Sequence, residues 1–163
     1  NKYGQTFKLP QPLISKEGVK IKDLKDPIKK MSKSETNPNG VISLFDSPEM
    51  VTKKIMGATT DSENLVYFDE ENKPGISNLL NIASVISKRT TEDIANEYKT
   101  AGYGNFKKYV ASLTSQMISD IQEKYNHIIS SGKLEEILSK GKEKSRKLAY
   151  EKMNQMKKKV GLN

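Results

Sequence analysis

Two lysines three residues apart are the side chains of this sequence best suited to carry chemistry. They belong to a KMSKS segment made of Lys30, Met31, Ser32, Lys33 and Ser34. Each ammonium is a compact positive charge with three donors, and the serine hydroxyls can donate to further oxygens. Such a set can surround a triphosphate. Lysines that close late on a departing pyrophosphate stabilise the transition state of nucleotidyl transfer more than they stabilise the intact nucleotide.

The alternative interpretation of this segment is an ordinary basic surface loop. By average composition, the pentapeptide arises by chance in a chain of this length with a probability on the order of 10⁻⁴. The segment lies between Pro27 and Pro38, among small and polar residues that fit neither a helical nor a strand period. We therefore predict an exposed loop that binds the phosphates of a nucleotide.

The remaining candidates for chemistry are few. With Cys 0 and His 1, the sequence excludes disulfides, thiolate nucleophiles and cysteine zinc sites, and we predict no metal centre. The single histidine, His127, lies beside an apolar stripe and is expected to pack. Without a histidine beside them, five carboxylates in the middle of the chain are expected to cap turns or face solvent rather than act in pairs. They are Asp61, Glu63, Asp69, Glu70 and Glu71.

The positive charge of the chain is concentrated in two regions. The whole sequence has a formal charge of +8 and a pI of about 9.4. Residues 1–34 carry nine lysines against three acids, and residues 133–159 carry nine lysines and one arginine against four acids, so the middle of the chain is net acidic. This pattern favours two separate contacts with anions such as RNA or a phosphorylated small molecule. Solvated lysine faces are the alternative, and charge alone does not decide between them.

Size and composition limit the architecture. A chain of 163 residues with 34% hydrophobic content can form one ordinary domain or two small ones. No apolar run approaches the roughly 20 residues that cross a bilayer. The sequence begins with neither a methionine nor an apolar leader, so we expect a soluble piece of a longer protein.

The elements that must position the lysine loop divide into an irregular first part and a helical remainder. Prolines and glycines punctuate residues 1–46, where only residues 19–21 and 41–45 look extended. Ser47-Pro48-Glu49 predicts a helix start, with a serine cap, a proline in the first turn and an acid behind it. Residues 76–86 show a buried helical stripe. Thr90-Thr91-Glu92-Asp93 is typical of a capping box, for a short helix that ends near residue 98.

Two long helices are predicted to complete the chain. In the first, apolar residues recur every three or four positions from Phe106 to Ile128. The second begins near Leu134 and carries an apolar stripe that includes Ile137, Met153 and Val160, with lysines on its other faces. Tyr103, Phe106 and Tyr109 have two interpretations, because they can stack on unpaired RNA bases or pack inside the fold.

KMSKS is the second signature of the class I aminoacyl-tRNA synthetases, and its surroundings resemble the bacterial tryptophanyl-tRNA synthetase family. Tyrosyl relatives usually carry a differently spelled lysine loop and a further C-terminal domain, so the tryptophan family is the better match. The resemblance covers essentially the whole chain. Its matching stretches, besides KMSKS, are Lys2-Tyr3-Gly4, Phe7-Lys8-Leu9-Pro10, residues 19–34, Pro38-Asn39-Gly40, Asp46-Ser47-Pro48-Glu49, Thr60-Asp61-Ser62-Glu63, residues 73–82 and Gly102-Tyr103-Gly104.

The resemblance implies roles for individual residues. Residues 30–34 match the mobile ATP loop, with Lys30 and Lys33 as the catalytic lysines on the phosphates. Met31, Ser32 and Ser34 belong to the same ATP-binding loop. Ile21 matches a position whose backbone contacts the adenine side of ATP. The resemblance places no individual anticodon contact in this sequence.

The resemblance also implies a fold and a set of partners. We expect a mainly α chain in which residues 1–46 are the C-terminal part of a Rossmann-type catalytic domain, and residues 47–163 a helical anticodon-binding domain. The parent activity is that of a cytoplasmic ligase, a homodimer that joins L-tryptophan to tRNA(Trp) with ATP and Mg²⁺ carried by its phosphates. The family's first signature and its tryptophan pocket lie upstream of Asn1, so we expect this chain alone to be inactive.

Two other interpretations of the function stay open at the level of sequence. One is a helical module that binds tRNA without catalysis when it is separated from the catalytic half. The other is a basic helical scaffold for proteins, which requires KMSKS and all of its flanking matches to be accidental. Binding of tRNA with a steep salt dependence, but without an ATP response, favours the first of these interpretations over the ligase.

Overall fold

The computed structural model of this protein describes residues 2–13, 20–34 and 36–162, and within them it is helical. Its five α-helices are α1 (Pro48–Met56), α2 (Pro74–Ser87), α3 (Thr91–Tyr98), α4 (Gly102–Ser130) and α5 (Lys133–Val160), preceded by a 3-10 helix at Pro38–Gly40. The described residues contain no strand, only one isolated antiparallel bridge between Lys22 and Lys30. The prediction of a mainly α chain with about five helices is confirmed.

The two extended pieces predicted from sequence form no strand in the described residues. Residue 19 lies outside the described residues, and residues 20 and 21 form no strand. The piece at residues 41–45 ends in a turn. The Asp46 carboxylate accepts a hydrogen bond from the Ser43 N–H at 2.8 Å, and the Ser43 carbonyl accepts one from the Asp46 N–H at 3.1 Å.

The helix starts follow the capping residues that the sequence offers. The Ser47 hydroxyl accepts a hydrogen bond from the Met50 N–H at 3.3 Å, and Pro48 occupies the first turn of α1. The Thr90 hydroxyl accepts one from the Asp93 N–H at 3.1 Å at the start of α3. These two predicted starts are confirmed.

The start of α4 differs from the sequence prediction. The predicted apolar period begins at Phe106, whereas α4 begins at Gly102, which has a φ of +79°. The Asn64 side chain accepts a hydrogen bond from the Tyr103 N–H at 2.8 Å and so supplies the cap. This cap comes from 39 residues earlier in the chain, so no local sequence pattern could reveal it.

Residues 18–124 form one compact unit, and its core is built around α2. Every residue of α2 from Gly75 to Ala83 is buried, and Phe106, Val110 and Ile118 of α4 are buried with them. The core also includes Leu24, from the segment that precedes the KMSKS loop. Burial of apolar surface stabilises the folded state by about 25 cal/mol for each Å² removed from water. The burial of Leu24 therefore holds the segment before the loop against the helices.

Two lysines satisfy the carbonyl groups that follow α1. The Lys107 ammonium donates to the Ala58 carbonyl at 2.8 Å and to the Thr60 hydroxyl at 3.2 Å, and the Lys25 ammonium donates to the Gly57 carbonyl. Burial lowers the pKa of Lys107, and the nearby charge of Lys25 lowers it further. Positive charge at the C-terminal end of a helix also complements its dipole.

Residues 1–17 and 125–163 form a second compact unit, which contains α5. Within it, the Lys152 ammonium donates to the Thr6 carbonyl at 3.0 Å, and the Lys159 ammonium donates to the Gln5 carbonyl. Segment 2–9 and the end of α5 line an open cavity of about 630 Å³. The domain boundary predicted between residues 46 and 47 stays a prediction.

Helix α5 carries the predicted apolar stripe, but the stripe does not pack against a core. None of its residues is buried, and Ile137 and Leu138 are more than half exposed. Within its unit the described segment that faces it, residues 2–9, is far shorter than a helix of 28 residues. His127 is likewise exposed rather than packed. No helix in the described ranges is both long and apolar enough to cross a membrane.

Candidate functional site

The KMSKS loop has one residue anchored to the core and two exposed lysines. Met31 is half-buried and packs against the core, and its N–H donates to the Ile21 carbonyl at 3.1 Å. Lys30 and Lys33 are exposed, and among the described residues neither ammonium forms an ion pair. Two exposed positive charges therefore lie on a loop that is fixed to the fold at Met31.

The serines of the loop bond to each other. The hydroxyls of Ser32 and Ser34 lie 3.1 Å apart, and the Ser34 N–H donates to the Ser32 hydroxyl at 3.4 Å. Ser32 is half-buried and Ser34 is exposed. Both hydroxyls can rotate toward a phosphate oxygen without breaking a bond to the core.

The segment before the loop runs antiparallel to the loop's first residues. Lys22 and Lys30 form the isolated bridge, in which the Ile21 carbonyl accepts from Met31 and the Asp23 N–H donates to the Lys29 carbonyl at 2.9 Å. The structure therefore brings Ile21, the residue matched to the adenine side of ATP, next to the lysine loop. The two parts of the candidate nucleotide site are neighbours.

A buried aspartate shapes the turn that leads into the loop. Asp23 is 2% exposed, and its Oδ1 accepts from the N–H groups of Lys25 at 2.7 Å and Asp26 at 2.9 Å. The neighbouring Leu24 N–H donates to the Gly40 carbonyl at 2.9 Å, which joins the segment before the loop to the 3-10 helix after it. Sequence analysis missed Asp23, because a single carboxylate in a lysine-rich segment carries no distinctive pattern.

The segment after the loop is held by a buried ion pair. The Lys54 ammonium of α1 lies 2.6 Å from the Asp46 carboxylate and donates to the Val41 carbonyl at 2.8 Å. Gln122 of α4 donates to the carbonyls of Leu44 and Asp46 at 2.8 and 2.9 Å. Both ends of the loop are therefore fixed to helices of the same compact unit.

A second polar cluster surrounds Lys73, and sequence analysis missed it as well. The Lys73 side chain is 2% exposed, and its ammonium lies 2.9 Å from the Asp61 carboxylate and 2.6 Å from that of Glu63. Tyr103 donates from its hydroxyl to Asp61 at 2.5 Å, and the Lys73 ammonium lies 4.5 Å from the ring centroid of Tyr67. Only Lys73 of this group is charged positively, and it neutralises two carboxylates at once.

The pKa values of the Lys73 cluster follow from these contacts. Burial alone raises the pKa of Asp61, but the hydrogen bonds from Tyr103 and Lys73 outweigh it and bring the value to about 2. The hydrogen bonds from Lys73 and Tyr67 lower the pKa of Glu63. Burial opposes the charged form of Lys73, yet its hydrogen bonds to Glu63, Tyr103 and Asp61 raise its pKa overall.

The other predicted carboxylates and the aromatic residues have structural roles. Asp69 accepts from the N–H groups of Glu71 at 3.0 Å and Asn72 at 2.9 Å, which confirms the capping interpretation for that residue.

Phe106 is fully buried, and Tyr103 is 8% exposed. The packing alternative, rather than stacking on bases, is therefore confirmed for both aromatic residues.

The described residues offer no cluster of three side chains that could hold a metal ion. The loop itself supplies only cationic and neutral donors, which suit phosphate oxygens rather than a cation. The arrangement can therefore bind a polyphosphate directly through Lys30 and Lys33, and the backbone of Ile21 lies at the side of the site where the loop begins.

Comparison with known proteins agrees with this geometry. A family model described as tRNA synthetases class I (W and Y) matches residues 1–119. The chain therefore belongs to the class I tRNA synthetases of the tryptophan and tyrosine type. Among curated proteins it is similar to tryptophan–tRNA ligases. It is 44% identical to that of Bacillus anthracis over 162 residues and 46% identical to that of Wolinella succinogenes over 161.

Solved structures give the same result for the fold. The tryptophanyl-tRNA synthetase of Mycoplasma pneumoniae superposes with a TM-score of 0.85 at 33% identity, covering 99% of this chain and 49% of that one. The Campylobacter jejuni enzyme, complexed with ADP and tryptophan, gives 0.65 at 30% identity, with 98% and 49% covered. The two curated relatives named above are matched over 99% and 98% of this chain and 49% of their own length, so the chain spans about half of each.

Proposed function

We propose that this chain is the C-terminal half of a tryptophan–tRNA ligase. Such an enzyme activates L-tryptophan with ATP to tryptophanyl-adenylate and pyrophosphate, and then transfers tryptophan to tRNA(Trp). The observation that carries the proposal is the KMSKS loop, with two exposed lysines on a segment anchored at both ends. The similarity to tryptophan–tRNA ligases along 98–99% of the chain supports it.

In the proposed site, Lys30 and Lys33 bind the phosphates of ATP. Met31, Ser32 and Ser34 complete the loop, with the Met31 backbone as its anchor and the serine hydroxyls as donors to phosphate oxygens. The backbone of Ile21 contacts the adenine side of ATP. This assignment is supported by the 3.1 Å bond from Met31 to Ile21, since one hydrogen bond joins the two regions of the site.

The two lysines have their largest effect on the leaving group. The tryptophan carboxylate attacks the α-phosphorus of ATP, the bond from that phosphorus to the bridging oxygen breaks, and pyrophosphate leaves with the negative charge. Cations that approach the phosphates as this charge develops lower the barrier. At about 1.5–3 kcal/mol for each charge-assisted contact, two lysines supply a rate factor on the order of 10² to 10⁴.

The complete reaction needs groups outside this chain. In the proposal, the first class I signature and the tryptophan pocket belong to the other half of the ligase, and the parent enzyme is a cytoplasmic homodimer. Mg²⁺ reaches the site on the ATP phosphates, where it offsets their negative charge. This chain alone is therefore expected to bind ATP weakly and to form no adenylate.

The second basic region is proposed to bind the phosphate backbone of tRNA(Trp). Helix α5 places its lysines, among them Lys144 and Lys147, on an exposed surface. Contacts of this kind release counterions from the nucleic acid, so the affinity falls steeply as salt concentration rises. A non-catalytic tRNA-binding module is the alternative function, and the exposed basic surface of α5 is the observation that favours it.

An ATP titration distinguishes the two functions. Calorimetry or NMR would follow ATP binding to this chain, alone and with the other half of the ligase added in trans, together with tryptophan-dependent pyrophosphate exchange. Exchange that is restored only by the added half supports a split ligase. Binding of tRNA without any ATP response or restored exchange would instead identify a tRNA-binding module.

A further inference from the structure

The segment that pairs with the KMSKS loop is also bonded by a side chain from helix α2. Asn78 is 3% exposed, its Oδ1 accepts from the Lys22 N–H at 2.8 Å, and its Nδ2 donates to the Lys22 carbonyl at 2.9 Å. One carboxamide therefore satisfies both backbone groups of one residue, as a neighbouring strand would. The two residues are 56 positions apart in sequence.

The geometry of an extended segment places the loop on the opposite edge. The N–H and C=O groups of successive extended residues face opposite edges of the chain. The Lys22 groups face Asn78, so the Ile21 carbonyl and the Asp23 N–H face the other way. Those two groups form the bonds to Met31 at 3.1 Å and to Lys29 at 2.9 Å. The three residues 21–23 are thus held between α2 and the start of the lysine loop.

We propose that Asn78 is a positioning residue for the ATP loop: by holding the Lys22 backbone, it fixes the segment against which Lys30 pairs. The inference rests on the proposed function, because the role of Lys30 in the reaction with ATP is itself part of that proposal. The hydrogen bonds of the Asn78 side chain described in the structure go to the Lys22 backbone, not to Lys30 or Lys33. It acts through the antiparallel bridge between Lys22 and Lys30.

The chemistry of the carboxamide makes the proposal specific. Aspartate keeps an acceptor for the Lys22 N–H but places a second acceptor against the Lys22 carbonyl, and alanine removes both partners. Lys22 is only half-buried, so water can replace part of what is lost and the fold can persist. We therefore expect the loop to be less precisely positioned. The contact of two lysines with the phosphates depends strongly on that position.

The test uses the complete ligase that carries this chain. We expect Asn78→Asp and Asn78→Ala each to lower kcat for tryptophan-dependent pyrophosphate exchange at least tenfold, with little change in tRNA binding. Asn81→Asp and Asn81→Ala are the matched controls. Asn81 is a 7% exposed asparagine one turn along the same helix. It lines one pocket together with Lys22 and Asn78 but forms no hydrogen bond to the Lys22 backbone. A kcat equal to that of the controls would overturn the proposal.

A double-mutant cycle separates positioning from general structural damage. If Asn78 acts through Lys30, Asn78→Ala in a Lys30→Ala background lowers kcat by much less than it does alone. Effects that multiply in full would show that Asn78 acts independently of the loop, which contradicts the proposal.

Hydrogen exchange gives a readout that does not depend on activity. In the same protein, hydrogen exchange of the Met31 amide is expected to rise in Asn78→Ala and not in Asn81→Ala, because the extended segment that accepts its hydrogen bond is released. If the wild-type protein shows no pyrophosphate exchange, the proposed function fails. The hydrogen-exchange measurement then still decides whether Asn78 holds the loop. Equal protection of the Met31 amide in both variants would show that it does not.

Discussion

Lys73 and Asp61 form the buried ion pair at the start of α2, with 2.9 Å between the ammonium and the carboxylate. Tyr103, at the start of α4, closes the contact by donating to the same Asp61 oxygen that accepts from Lys73. One carboxylate therefore joins the beginnings of two helices that both contribute buried residues to the core. Breaking such a pair from one side leaves a buried charge without its partner, which is strongly destabilising.

We predict that the Lys73–Asp61 pair makes stability depend on acid pH. The pKa of Asp61 in the folded chain is about 2, below its ordinary value of 3.8, so its contribution is complete above about pH 4 and is lost as the pH falls toward 2. The shift corresponds to about 2 kcal/mol. Urea unfolding at pH 2.5 and pH 6 measures it as the difference between wild type and Asp61→Asn.

The matched control removes a carboxylate from the surface of α4. Asp120 is exposed, and its carboxylate accepts a hydrogen bond from Gln116 only one turn away. Asp120→Asn should keep the wild-type loss of stability in acid. A pH dependence that is the same in wild type and in Asp61→Asn would contradict the assignment.

We predict that Tyr103→Phe destabilises the chain by about 1–2 kcal/mol, because it leaves the partly buried Asp61 carboxylate with one fewer donor. Thermal unfolding followed by circular dichroism is the measurement. Tyr150→Phe removes the same hydroxyl from a tyrosine that is 68% exposed on α5, and should change stability by less than about 0.5 kcal/mol. Equal effects of the two variants would show that the Tyr103 hydroxyl adds nothing.

The two basic regions are predicted to be separable in the complete ligase. Lys30→Ala with Lys33→Ala should lower tryptophan-dependent pyrophosphate exchange on the order of 10² to 10⁴-fold and leave tRNA affinity nearly unchanged. Lys144→Ala with Lys147→Ala, which removes the same charge from α5, should weaken tRNA binding and reduce its salt dependence. Filter binding and exchange kinetics on both variants test the division, and equal loss of both activities in either one refutes it.

Gly40 is predicted to tolerate no side chain. A Cβ at this position would overlap the Asp23 carboxylate, which cannot move away because its Oδ1 holds two backbone N–H groups. Gly40→Ala should therefore cost about 1–3 kcal/mol of stability and disturb the turn before the loop.

A second glycine provides the control for Gly40. Gly141 lies inside α5 with nothing within 4 Å of an added Cβ, so Gly141→Ala should stabilise the helix by about 0.5–1 kcal/mol. Denaturant unfolding of both variants measures the change in the free energy of unfolding, which should fall for Gly40→Ala and rise for Gly141→Ala. Destabilisation by Gly141→Ala, or none by Gly40→Ala, would show that these local environments are wrongly described.

Local chemistry made much of this architecture predictable. The cap at Ser47, the cap at Thr90 and the apolar period of α4 each depend on residues within a few positions of one another. The KMSKS loop is recognisable from sequence for the same reason, since five consecutive residues define it. Membership of the synthetase family followed from that segment and its neighbours.

The missed features depend on residues that meet only in the fold. Asn64 caps α4 from 39 residues away, and Asn78 bonds the Lys22 backbone from 56 away. Lys73, one of many lysines in a basic chain, gave no sign that it would be buried between two carboxylates. The exposure of the α5 stripe could not be predicted either, because periodicity shows which face of a helix is apolar but not whether another element covers that face.

The absence of any buried residue in α5 has a consequence for how that helix behaves in solution. A helix without tertiary burial is governed by helix–coil equilibrium, in which length, temperature and neighbouring charges set the fraction ordered. Its basic residues far outnumber its acids, and they repel one another in the helical form. Added salt should therefore increase the helicity of α5 while it weakens binding to a polyanion, and a polyanion that binds α5 should also increase its helicity.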